Sequence, residues 1–316
     1  MLRRTLFAAP ALMAALPVKA QALTKITIAT GVDPAFGHFY VAKESGIFER
    51  NGLDVTVNTG TSGSAMIPFL VGNQVQAVFG AEQGGVSTHI VDSNVVCVAE
   101  GTALLRWMGV VARGVENMEG LKGKKIGLAR GTASETLWLA ILAKMNMNAA
   151  DYTIVYVDAP EMIAALERGN IDAYVVWEPW MTRGLRAISN TKILVTNEHI
   201  QIIRNLIYMN KSWVQANDAA ARGFVRSMIQ AAELLRSDPT ESARMIARFL
   251  RQDRGLVAEL MTKLDYRLNL SADTVSNVQL AITQLRGMGR LGKEVTPQEV
   301  IWPDLLRGVE AGRVRI

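Results

Sequence analysis

The chain has 316 residues, of which 49% are hydrophobic and 20% charged, and its formal net charge is +5. This composition excludes a disordered chain, and the length allows two domains or one domain split into two lobes. No run of five or six basic residues occurs, so no nucleic-acid partner is expected.

The first residues read as a processing segment. Arg3-Arg4 form a positive start, Leu6 to Leu16 are apolar, and Val18-Lys19-Ala20 places small residues where a signal peptidase cuts. The apolar run is too short to span a bilayer. Residues 1–22 are therefore expected to be a secretory signal peptide, cleaved after Ala20 or Ala22. The two arginines also weakly match a twin-arginine signal. Loss of Arg3, Arg4 and Lys19 would lower the formal charge from +5 to +2. The expected location is the periplasm.

The mature part opens with Lys25 to Thr30, KITIAT, whose β-branched alternation predicts a strand. A loop, Gly31 to Gly37, leads into a helix from His38 to Ser45 that Gly46 ends. Leu53 to Val57 is the second strand. A small polar loop, Thr59 to Ser64, precedes a helix from Ala65 to Val71. Gln76 to Phe79 is the third strand, Gly80 to Gly85 a third loop, Val86 to Asp92 a helix, and Val95 to Ala99 the fourth strand. Strands that alternate with helices predict parallel βαβ units. Cys97, the only cysteine, lies in the fourth strand between valines and reads as an inert buried thiol.

Trp107 to Ala112 is an extended apolar run, after which the rhythm restarts. Lys124 to Leu128, Thr153 to Val157, Asp172 to Val176 and Ile193 to Thr196 are strands. Glu135 to Met145 and Glu161 to Arg168 are helices between them. Asn205 to Met209 reads as a return crossing. From Ser212 the pattern is helical through Arg286, with a further helix start at Pro303.

Two strand-to-helix loops, Ser62-Gly63-Ser64 and Gly131-Thr132-Ala133-Ser134, carry small polar residues where a helix begins. A helix N-terminus leaves N–H groups unpaired and carries partial positive charge, so an anionic oxygen fits there. Plain capping is the alternative for both. His38, beside Phe36 and Phe39, is a candidate donor or stacking partner. Glu82 and Glu178 are candidate acceptors, or would pair with Arg106 or Arg204. The stretch Ala173 to Gly184 presents Trp177 and Glu178 at a strand's carboxyl end, where open α/β sheets bind ligands. The histidines, His38, His89 and His199, lack metal-site spacing. There is no HExxH, CxxC or P-loop, and no nucleophile motif. Neither a cofactor, a metal nor catalysis is expected.

The stretches KITIAT, VAKESGIFERNGLDVTV, GTSGSAMIPFLVGNQVQAVFG, LKGKKIGLARGTASETLWLAIL and MIAALERGNIDAYVVWEPW, taken in order, resemble exported solute-binding proteins of the nitrate/sulfonate/taurine type. The likeness runs from about Lys25 to Met209. It implies a two-lobed type II periplasmic-binding fold with a helical C-terminal tail. The lobes would close on a ligand by hinge motion, and the closed form would dock on an ABC permease. The lobes would be 23–110 with 208–316, and 111–207. The hinge would lie near Trp107–Arg113 and Arg204–Asn210. By position, the resemblance implies that Phe36, Gly37, His38, Ser62, Ser64, Gly80, Glu82, Thr132, Ser134 and Trp177 face the ligand, and Glu178 is added on its own placement. Phe36, Phe39 and Trp177, with Trp107 as a further candidate, suggest a site too wide for nitrate, which leaves sulfonates, carboxylates and small heterocycles. The expected molecule is a monomer that binds a small organic anion. The alternatives are an enzyme on the same fold and a sensor for another membrane partner.

Overall fold

A computed structural model describes residues 22–316, and the expected signal peptide lies almost wholly outside them. Two sheets organise these residues. In the first half the strands are β1 (Thr24–Thr30), β2 (Leu53–Thr59), β3 (Ala77–Ala81), β4 (Val95–Leu104), β5 (Met108–Arg113) and β6 (Lys125–Leu128). The second half adds β7 (Thr153–Tyr156), β8 (Ala173–Trp177), β9 (Thr191–Thr196), β10 (Ile203–Asn210), β11 (Leu264–Ser271) and β12 (Val314–Arg315).

The seven-stranded sheet has the order β12-β11-β4-β10-β3-β1-β2, and the five-stranded sheet β7-β6-β8-β5-β9. β1 pairs in parallel with β2 and β3, and β6 with β7 and β8. Each sheet also holds one antiparallel intruder that follows a crossing: β10 between β3 and β4, and β5 between β8 and β9. The chain therefore leaves the first lobe at 105–107 and returns at 197–202.

Those crossings correct the expected lobe boundaries. β5 lies wholly in the five-stranded sheet and β10 wholly in the seven-stranded one. The run Asn205–Met209 is a buried central strand, not a connection, which explains the apolar character of Leu206–Met209. Asn197 ties the two crossings together. It is fully buried, and its Oδ1 accepts from the N–H groups of Trp107 and Met108, both at 3.0 Å. Its Nδ2 donates to Leu104 O at 2.7 Å and to Gln201 O at 3.2 Å.

The tail is not helical throughout. Leu264, Tyr266, Leu268 and Leu270 are buried and alternate with half-buried polar residues, so this stretch adds β11 beside β4. The tail helix Asp218–Ser237 packs on the first lobe, where Phe224 meets Phe39 edge-on at 5.9 Å and Phe48 stacked at 6.3 Å. Burying each such ring contributes roughly 2–3 kcal/mol. Gly37 faces the same tail, since a Cβ there would meet Ile246, Leu235 and Tyr266 at 3.0–3.1 Å.

Candidate functional site

A small cavity of about 30 Å³ opens between the carboxyl ends of the two sheets. From the seven-stranded lobe it is lined by Asp33, Phe36, Ser62, Gly63, Ser64, Ala81, Leu104 and Asn205. From the five-stranded lobe it is lined by Trp107, Met108, Thr132, Ala133 and Trp177. Among the described residues no Lys, Arg, His or Cys lines it. Of the expected ligand-facing residues, the cavity brings together Phe36, Ser62, Ser64, Thr132 and Trp177.

Local physics places each of these. Ser62 caps the single-turn helix Gly63–Met66 by accepting from Ala65 N at 3.1 Å. That turn lies against the end of β3, because a Cβ on Gly80 would sit 2.8 Å from Gly63 C and 2.9 Å from Ser64 N. Gly80 thus supports the wall without lining it. Phe36 packs edge-on against Phe79 at 5.3 Å. Across the cavity, Thr132 caps the helix Ala133–Lys144, accepting from Ser134 N at 3.2 Å and donating to Ala129 O at 2.8 Å. Its hydroxyl is thus occupied, and the first-turn N–H groups of this three-turn helix are what it can offer a ligand.

Ser134 does not line the cavity. It is fully buried, donates to Val175 O at 2.6 Å and accepts from Ala129 N at 3.1 Å, which joins β8 to the end of β6.

His38 also lies elsewhere. It is fully buried between Phe79 and Tyr266, and Nε2 bonds Arg267 O at 2.8 Å. The carbonyl requires the Nε2–H tautomer. Burial pushes the imidazole down to about 4, so it is neutral in the folded chain.

Glu82 is not in a loop. β3 runs through Ala81 and the helix Glu82–Val91 starts at once, which buries the side chain to 1% exposure. Neither carboxyl oxygen has a hydrogen-bond partner among the described residues. Burial raises the carboxyl to about 8, and the nearby N–H groups of Glu82 and Arg204 and the Arg204 charge offset this only in part. Arg204 instead pairs with fully buried Glu100 at 2.7 Å, and Thr274 also donates to Glu100 at 2.6 Å.

Glu178 turns away from the cavity. Its Oε2 accepts from Thr182 N, and its Oε1 from Thr182 Oγ1, both at 3.0 Å. Lys263 Nζ donates to Oε1 at 2.7 Å. Trp180 is also off the cavity, half-buried under Arg183 at 4.9 Å.

Two polar lining residues were not singled out from the sequence. Asp33 follows β1 in the loop from which Phe36, Gly37 and His38 were chosen. Its position before Pro34 is a turn signal, and that masks a site role. Asn205 precedes the apolar run of β10, and a buried amide that, unlike Asn210 at the strand's other end, has no capping role is the signal that could have found it.

A family model described as NMT1/THI5 like matches residues 33–242. A Brucella abortus (strain 2308) protein named as a binding protein is 24% identical over 218 residues, covering 68% of this chain and 68% of its own length. Two solved structures share the fold. The alkanesulfonate-binding protein SsuA from Xanthomonas axonopodis pv. citri, bound to MOPS, superposes with a TM-score of 0.78 at 18% identity, covering 90% of this chain and 100% of that one. The periplasmic aliphatic sulphonate binding protein SsuA from Escherichia coli gives 0.77 at 16% identity, covering 90% and 99%. The two-lobed periplasmic-binding fold expected from the sequence is therefore the fold of this chain.

Proposed function

This chain belongs to the NMT1/THI5-like family, and on that premise we propose that it is the extracytoplasmic solute-binding component of an ABC importer. It holds a small organic sulfonate or carboxylate, aromatic ones included, between its two lobes and delivers it to a permease. The observation that carries this reading is the cavity itself, walled by residues of both lobes with Trp107 of the first crossing among them. A ligand that touches both walls favours the closed arrangement by its differential affinity. The first-turn N–H groups at Thr132–Ala133 suit an anionic oxygen, and Trp177 and Trp107 suit the ligand body. The sulfonate-binding names of relatives support this ligand class. Export by the signal peptide and a monomeric state are part of the same proposal.

An enzyme finds less support. Among the described residues the lining offers no imidazole, lysine or thiol to activate or replace its hydroxyls, and Cys97 is fully buried with its thiol pushed far up by burial. A thermal-shift screen of sulfonates, carboxylates and heterocycles tests the reading. A ligand at a hundred times its Kd adds about 2.7 kcal/mol. The absence of any shift across the screen would count against it.

A further inference from the structure

The cavity contains one carboxyl and no cation. Asp33 is 4% exposed, and its Oδ1 accepts from Ala35 N at 3.0 Å, capping the short turn Pro34–Phe36. Its other oxygen, Oδ2, has no hydrogen-bond partner among the described residues, and neither has the side-chain amide of Asn205, which is 5% exposed on the same cavity. The two hydroxyls close enough to influence the carboxyl are already committed: Tyr40 donates to Gly31 O and Tyr266 to Pro34 O. Among the described residues no Lys, Arg or His side chain pairs with Asp33, whose one hydrogen bond is from Ala35 N.

Capping accounts for one oxygen only. Ser, Thr or Asn would cap this turn as well without placing a carboxyl in a water-poor cavity, where an unpaired charge is costly. The second oxygen therefore lacks a structural reason, and Asp33 lines the space where a ligand would lie.

We propose that Asp33 is a specificity residue that accepts a hydrogen bond from an ammonium or amino group of the ligand, so that the solute is an organic acid bearing a nitrogen donor and not a simple anion. This rests on the solute-binding reading of the cavity. The two ends of such a ligand would be read separately, the acid by the helix start at Thr132–Ala133 and the donor by Asp33, with Asn205 as a further polar contact. Glu178 cannot serve as the donor-reader, because Lys263 and Thr182 occupy it. Burial holds the Asp33 carboxyl up at about 8 in the free protein. A cationic amine would stabilise the carboxylate and release its proton, whereas a simple anion would favour the neutral acid.

The test uses the full mature chain and pairs of acids that differ in one amino group. The pairs are 2-aminoethanesulfonate with ethanesulfonate, 3-aminopropanoate with propanoate, and 4-(aminomethyl)benzoate with 4-methylbenzoate, each titrated by calorimetry. The expected result is a preference of about tenfold or more for the amino member of a pair. Asp33→Asn, which keeps the cap, should abolish that preference and leave the affinity for the amino-free member unchanged or higher. Asp33→Ser provides a second variant if the first melts early. If amino-free acids bind the native protein as well as their partners, or if both variants keep the preference, the role of Asp33 is overturned while solute binding stands. If no member of any pair binds, the solute-binding reading fails and the inference falls with it.

Discussion

Lys263 Nζ lies 2.7 Å from Glu178 Oε1, and the pair joins the segment before β11 to the end of β8, one residue from each lobe. Glu178 is 1% exposed, so the contact is shielded from solvent. Breaking a buried pair on one side leaves an uncompensated charge. Lys263→Met is expected to destabilise the chain by roughly 3 kcal/mol in urea unfolding. Adding Glu178→Gln should restore part of that loss, and a double mutant no more stable than Lys263→Met would show that the pair is not coupled.

Asn197 makes a second such prediction. Asn197→Ala strands the N–H groups of Trp107 and Met108 and the Leu104 carbonyl in a buried crossing. Each orphaned group costs about 1–3 kcal/mol. The variant should melt well below the native chain, and Asn197→Asp, which keeps the acceptor and loses both donations, should lie between them in a calorimetric scan.

The protein should lose stability as pH rises from about 6.5 to 8. The carboxyls of Asp33 and Glu82 are raised from 3.8 and 4.5 to about 8 by burial, so the folded chain holds protons that the unfolded chain has released. Their contribution is complete at low pH and is lost on the way up to 8. His38 is lowered from 6.5 to about 4, so it acts in the opposite sense, and only below 6.5. Between 6.5 and 8 the two carboxyls act unopposed, with a slope that falls from about 2.7 to about 1.4 kcal/mol per pH unit. Melting curves across this range should show the fall, and Glu82→Gln should remove about half of it.

Gly80→Ala should damage both stability and binding. Its Cβ would come within 3 Å of the backbone of Gly63 and Ser64, and backbone cannot yield as a flexible side chain does. A loss of about 2 kcal/mol is expected. A chain that melts normally and keeps its ligand affinity would show that the two segments can separate without harm.

Much of the fold could be read from local pattern. The strands that precede Ser62–Ser64 and Thr132 were placed from the alternation of strands with helices, and both loops reached the cavity because a helix start at a strand's carboxyl end is a local property. The failures were non-local. β11 was missed because its four buried residues sit among helical stretches, and only pairing with β4 makes them a strand. Glu178 looked like a cleft residue because its partner, Lys263, lies 85 residues away. Gly37 and His38 were drawn into packing by the tail, whose position the first half of the chain does not encode. Asp33 was passed over because its turn chemistry explains one of its oxygens completely.

The amide of Asn197 also constrains how the two lobes can turn. Two free connections would each bring their own backbone torsions, and rotation could be shared between them in many ways. One side chain bonded to Leu104, Trp107, Met108 and Gln201 removes that independence. The two connections retain few relative degrees of freedom, so a twist imposed on one is transmitted to the other. If the lobes turn as the solute-binding reading requires, labels placed beside either crossing should report one common angle and one common rate.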